Sequence, residues 1–167
     1  AELNQLHHHI EPFAIGNEET EAELAFPKTD TGLGSLTTTI LPGFTDANDL
    51  QRIRVRVMRL DTYLKDKTYW PDFIKIDTEG FELNVLKGAK NTMVKRNLII
   101  IFESIKNDQR ALIYNYLNEI DYNIFDLWNL SAGFLSKSDY INSQNINFIT
   151  INKKHPIIND LYQFELY

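Results

Sequence analysis

This sequence predicts an α/β fold, and three observations carry the prediction. Two short apolar runs, Phe73-Ile74-Lys75-Ile76-Asp77 and Leu98-Ile99-Ile100-Ile101-Phe102-Glu103, have the length and β-branched content of strands, and both end on a carboxylate. Between them, Glu82 to about Lys95 carries Leu83, Leu86, Ala89, Lys90 and Met93 near helical spacing. A sharp turn, Thr78-Glu79-Gly80, joins the first strand to that helix. Strand, helix, strand is the βαβ unit of an open sheet, whose ligands bind in the crevice beyond the carboxyl ends of the strands. Asp77, Glu79 and Glu103 are therefore the first residues to suspect of chemistry.

The totals narrow the class. A chain of 167 residues is read as one domain, residues 1–167, large enough to bury a core without staples. With 43% hydrophobic and 24% charged residues it is an ordinary globular composition, not a disordered one. The absence of cysteine excludes a disulfide framework, thiolate metal sites and a cysteine nucleophile. The lack of cysteine fits a cytoplasmic protein; no apolar stretch approaches the roughly 20 residues of a membrane span, and no signal-peptide pattern opens the sequence. A net charge of −6 speaks against nucleic acid as a partner and leaves a small molecule or a protein.

In chain order, Ala1 to Leu6 reads as the last turns of a helix, and His9 to Ile15 as a strand closed by Gly16-Asn17. The run His7-His8-His9 is better read as a solvated connector than as a metal tract, because neighbours in extended chain point to opposite sides. Glu21 to Pro27 and Ser35 to Leu41 read as strands, and Gly32-Leu33-Gly34 as a turn rather than a nucleotide loop. From Arg52 to Val57 the alternation is clean, with Ile53, Val55 and Val57 on one face and three arginines on the other. That pattern fits a half-buried strand at or near a sheet edge, with the arginines and Arg59 either solvated or offered to an anionic ligand.

Asp61 is placed to cap a short helix, Thr62 to Lys67. Gly88 interrupts the helix after the central turn, either for close packing on the sheet or as a break between two helices. Asp108 is expected to cap a helix with an apolar stripe of Leu112, Ile113, Tyr116, Leu117 and Ile120. Tyr122 to Trp128 and Ile146 to Asn152 fit an antiparallel pair, and Pro156 onward a last short helix.

Lys75 stands out in a strand expected to be covered on both faces, where an unpaired ammonium is costly. It should find Asp77 or Glu103, either as a plain ion pair or within a functional site. Gly80 beside these acids permits an unusual backbone angle. Carboxylates on adjacent strand ends can accept hydrogen bonds from a cofactor's amine and hydroxyls, deprotonate a hydroxyl nucleophile, or hold a hard divalent cation. Spacing alone leaves these open. A Ser-His-Asp hydrolase has no support, since no Gly-x-Ser-x-Gly elbow is present.

The segments Leu60-Asp61-Thr62-Tyr63-Leu64, Phe73-Ile74-Lys75-Ile76-Asp77-Thr78-Glu79-Gly80-Phe81-Glu82-Leu83 and Val85-Leu86-Lys87-Gly88-Ala89, with Ile100-Ile101-Phe102-Glu103 following, closely resemble the C-terminal half of FkbM-type methyltransferases. Glu2-Leu3-Asn4, Phe13-Ala14-Ile15-Gly16-Asn17 and Gly34-Ser35-Leu36 resemble earlier parts of that domain, so the likeness runs from about Ala1 to Asn152. The resemblance implies a Rossmann-like class I methyltransferase fold with a mixed, mostly parallel sheet. It implies transfer of a methyl group from S-adenosylmethionine to a hydroxyl of a sugar or natural product, with a small-molecule or glycan acceptor as partner. It places Gly16 and Asn17 near the adenine, Asp77 near the methionine end, and Glu79 and Glu103 toward the acceptor or a metal.

The family's glycine-rich first strand and the acidic end of its second have no counterpart in this sequence. The resemblance therefore implies the C-terminal portion of the domain, without its first two strands and with an uncovered edge beside Ile74 and Ile76 that invites a homodimer. It also implies that these 167 residues alone bind S-adenosylmethionine poorly and are inactive or weakly active, an expectation that micromolar binding in calorimetry would contradict. The rival from another class is a non-catalytic interaction module that keeps the fold. A third reading is a metal-dependent hydrolase built on Asp77, Glu79 and Glu103.

Overall fold

The computed structural model describes residues 8–28, 34–36 and 50–161. Within them two sheets form. The first has the order β1-β3-β2, from β1 (Ala14–Ile15), β2 (Thr20–Pro27) and β3 (Leu50–Met58); the second has the order β4-β5-β7-β6, from β4 (Phe73–Ile76), β5 (Ile99–Glu103), β6 (Tyr122–Asp126) and β7 (Asn147–Asn152). Helices α1 (Leu60–Tyr63), α2 (Glu82–Gly88), α3 (Lys90–Arg96), α4 (Gln109–Glu119), α5 (Lys137–Asn142) and α6 (Ile157–Leu161) complete the described architecture.

The class is α/β, as the βαβ pattern predicts, and the expected mixed sheet is found as two mixed sheets; in the second, β4, β5 and β6 run one way and β7 runs against them. Only β1–β3 and β4–β5 pair in parallel; β2–β3, β5–β7 and β6–β7 are antiparallel. The reason lies in the connections. The helical crossover through α4 carries the chain from β5 to β6 in the same direction, and β7 then returns between them, antiparallel to both.

β5 shows why an unbroken isoleucine run makes a central strand. Ile100 and Phe102 face a core of Leu86, Met93, Leu98, Leu117 and Phe148, all with no exposed surface. Ile99 and Ile101 face a second cluster, Phe125, Ile149, Ile151 and Ile158, on the other side. β4 is different. Ile76 is buried, but Phe73 is 52% exposed and the Lys75 side chain 60%. The expected two-sided cover is absent on that face among the described residues, so Lys75 keeps its ammonium in water.

Several local expectations change. The strand expected from His9 shrinks to Ala14–Ile15, since Pro12 has no amide to give a ladder. His8 and His9 are exposed, and His9 pairs with Glu11 at 3.1 Å. β3 lies in the centre of its sheet, not at an edge, because β1 and β2 flank it. Its arginines meet a glutamate row across the ladder: Arg52 to Glu23 at 2.6 Å, Arg54 to Glu21 at 3.7 Å and Arg56 to Glu19 at 3.8 Å. Of Ser35 to Leu41, Ser35 forms a single bridge to Ala25, Leu36 is outside any strand, and residues 37–41 lie outside the described residues, as do Ala1 to Leu6, His7 and Gly32-Leu33.

Asp61 does not cap its own helix. Its carboxylate reaches forward to the start of α3 and accepts from the Asn91 and Thr92 amides at 3.0 and 2.8 Å and from the Thr92 hydroxyl at 2.8 Å. Asp108 makes no side-chain cap either; Asn107 takes that place, its Oδ1 accepting from the Gln109 amide at 2.8 Å. Within α4, Leu112 is 55% exposed and Arg110 is buried instead. The helical stretch after the central turn is two helices, parted at Ala89.

Candidate functional site

The three suspected acids meet at the carboxyl ends of β4 and β5, each delivered by its own device. Asp77 is the residue after β4, and Glu103 is the last of β5. Because Ile76 pairs with Phe102 in a parallel ladder, the next step sets Asp77 beside Glu103, and their carboxyls share a hydrogen bond. Glu79 arrives through the turn, in a left-handed conformation with φ 49°, followed by Gly80 at φ 96°. A non-glycine residue adopts that geometry only where its surroundings hold it.

The surroundings are specific. Glu82, 4% exposed, uses Oε1 to accept from the Thr78 amide at 3.1 Å, the Thr78 hydroxyl at 3.0 Å and the Gly80 amide at 3.0 Å. The Ser35 hydroxyl donates to the Glu79 carbonyl at 2.9 Å, and the Gln109 amide group to the Gly80 carbonyl at 3.2 Å. Thus held, Asp77, Glu79 and Glu103 each offer a carboxylate oxygen within 4.8 Å of the other two.

Their charges are unequal. The Lys75 ammonium donates to Asp77 Oδ2 at 2.6 Å. That bond first, and the Glu103 hydrogen bond second, hold the Asp77 carboxyl below its ordinary value. Removal from water first, and the neighbouring Asp77 second, push Glu103 up to about 7. Glu79 is also raised, by burial first and then by the charges of Asp77 and Glu82. Two carboxyls side by side have been driven apart: Asp77 is the standing anion, and Glu103 exchanges a proton near neutrality. Such a pair can take a proton from a hydroxyl or receive hydrogen bonds from an ammonium group. With Glu79, its oxygens are also close enough together to surround one hard cation, whose ligand distances run at roughly 2.3–2.6 Å for calcium.

Beside β4 lies a cleft of about 610 Å³. Ile15, Leu60, Tyr69, Trp70, Ile74 and Phe81 form its apolar walls, while Lys75, Asp77 and Thr78 bring it polar groups. Size and lining are those of a small-molecule site. Tyr63 lines it too; its hydroxyl donates to Glu11 and lies 3.2 Å from that of Tyr69. Gly16 and Asn17 stand outside the lining. Gly16 is buried, with Phe81 packed close to its α-carbon, and the Asn17 carbonyl accepts from Arg59 at 2.8 Å.

The sequence reading missed two residues that build this site. Glu82 had a legible signal, since Thr78-Glu79-Gly80-Phe81-Glu82 sets a helix-opening carboxylate where it can reach back to the preceding amides. Arg110 had none, because one arginine in a helix reads as a solvated face. It is fully buried, and its guanidinium donates to the carbonyls of Ser104, Tyr140, Ser143 and Asn145, tying the segment after β5 to the approach to β7.

Comparison with known proteins bears on this arrangement. The family described as the methyltransferase FkbM domain matches residues 2–136. Among solved structures, the crystal structure of Methyltransferase FkbM from Methylobacillus flagellatus KT is similar over 86% of this chain and 28% of that one, with 17% identity and a TM-score of 0.46. The chain thus spans less than a third of that protein's length. No curated protein matches.

Proposed function

Because the chain belongs to the FkbM methyltransferase domain family, we propose that it forms part of an S-adenosylmethionine-dependent O-methyltransferase acting on a hydroxyl of a sugar or natural product. The observation that carries the reading is the Asp77–Glu103 pair, one anion and one proton acceptor near neutrality, beside an apolar cleft.

The residues present fit the cationic end of S-adenosylmethionine. Asp77 offers a carboxylate to its ammonium, and Ile74, Trp70 and Phe81 offer apolar cover. Gly16 and Asn17 are proposed for the adenine side, which Phe81 links to the acid turn by its packing on Gly16. When bound, the cofactor supplies an activated methyl group that leaves sulfur as an acceptor oxygen attacks in line. Glu103 takes the acceptor's proton, and Glu79 orients its hydroxyl. Alignment and proton removal are the chain's contribution. In this reading β4-β5-β7-β6 is one side of a Rossmann-like methyltransferase sheet.

The test is transfer itself. The polypeptide that carries this domain, given S-adenosylmethionine with a labelled methyl and a panel of sugars and polyhydroxylated natural products, should label an acceptor oxygen and release S-adenosylhomocysteine. Failure to bind the cofactor, together with divalent-cation binding that is lost in Asp77→Asn, would favour the hydrolase reading instead.

A further inference from the structure

We propose that Glu82 is the positioning residue for Glu79, and that the acid cluster exists because of it. The cause is geometric; its consequence for turnover rests on the methyl-transfer reading above. Glu82 is itself a buried acid with no part in the proton transfer. Its three accepted hydrogen bonds converge on one atom, Oε1, and Oε2 takes none among the described residues. The amides it holds, Thr78 and Gly80, flank Glu79 on either side. With both neighbours drawn to the same oxygen, the chain between them must bend outward, and that bend is the left-handed conformation of Glu79. Ser35 and Gln109 fix the carbonyls of Glu79 and Gly80 in the same turn.

A residue bearing a β-carbon gains by leaving this region whenever its restraints are removed. Glu79 released to an ordinary φ would swing its carboxylate away from Asp77 and Glu103. A carbonyl-type oxygen on an arm of this length is what the turn needs: three donors must be satisfied from one side, and all three meet the one atom Oε1.

Two substitutions separate shape from charge. Glu82→Gln keeps a carbonyl oxygen at the Oε1 position and loses the charge. Glu82→Asp keeps the charge on an arm one methylene too short. Amide exchange and the Glu79 backbone scalar coupling, read by NMR on the 167-residue chain, should stay near wild type in Gln. In Asp, exchange at Thr78 and Gly80 should quicken by about tenfold or more, and the Glu79 coupling should change, while the Ile100 amide reports an intact core. In an active polypeptide, Asp should lower kcat roughly tenfold to a hundredfold, the scale of a small misplacement of a catalytic group, with KM little changed, and Gln should preserve both. Asp behaving as wild type, or Gln losing the turn, overturns the proposal. Should Asp fail to fold, the Gln result alone decides. Wild-type protein without transfer activity would sink the methyl-transfer reading, and the NMR result would still judge Glu82.

Discussion

A β-carbon added to Gly88 would stand 1.9 Å from the carbonyl oxygen of Gly16. The end of α2 therefore rests directly on the backbone leaving β1, and no side chain yields to relieve the contact. Gly88→Ala gains about 1 kcal/mol of helix propensity but must push two backbones apart. A net destabilisation of about 1–3 kcal/mol is expected, the usual scale of overpacking. Urea unfolding should show a lower midpoint at unchanged slope.

Asp61 ties α1 to α3. Its carboxylate, 9% exposed, caps Asn91 and Thr92 and also accepts from Arg59 at 3.2 Å. Asp61→Ala should cost about 0.5–2 kcal/mol for the cap alone, and more because the buried Thr92 hydroxyl loses its acceptor. Thermal unfolding of Asp61→Ala beside Asp61→Asn checks this, with Asn expected to fall between Ala and wild type.

The acid pair predicts a pH dependence with a definite sign. Glu103 is raised from an ordinary value of 4.5 to about 7, so between those values the folded chain holds a proton that the unfolded chain has released. Its contribution to stability is full below about 4.5 and is lost as pH rises through about 7. Asp77, lowered by Lys75, works the other way: its contribution is present above the ordinary value of 3.8 and is lost as pH falls through its lower folded value. Carboxyl carbon NMR should find the Glu103 midpoint near 7 in wild type, and lower in Asp77→Asn.

Much of this was legible in the residues. The isoleucine run of β5, the Arg–Val alternation of β3 and the acid at each strand end all speak through period and composition, which local chemistry fixes. The meeting of Asp77 with Glu103 followed from strand parallelism. What escaped needed partners distant in sequence. Asp61 caps a helix 30 residues on. Arg110 is buried because carbonyls from three other segments converge on it. Lys75 was read as covered because a strand beside an isoleucine run looks central, whereas among the described residues β4 is the end strand of its sheet.

That edge makes a prediction of its own. The Asp72 carbonyl accepts from the Ile99 amide at 3.2 Å, so by alternation the main-chain groups of Phe73 and Lys75 turn away from β5. Antiparallel pairing of two copies about Ile76 would satisfy those of Lys75 and set Lys75 opposite Asp77 of the second copy, a favourable cross-strand pair. Sedimentation should show concentration-dependent dimers, with the Lys75 amide gaining exchange protection as they form. Lys75→Glu should disperse them.

The most direct trial is Glu103→Gln in the polypeptide that carries this domain. If Glu103 removes the acceptor's proton, kcat for methyl transfer from S-adenosylmethionine should fall by about 10²–10⁴-fold, the range for a lost general base, with cofactor affinity within a few-fold of wild type. Transfer at the wild-type rate in Glu103→Gln would contradict the account.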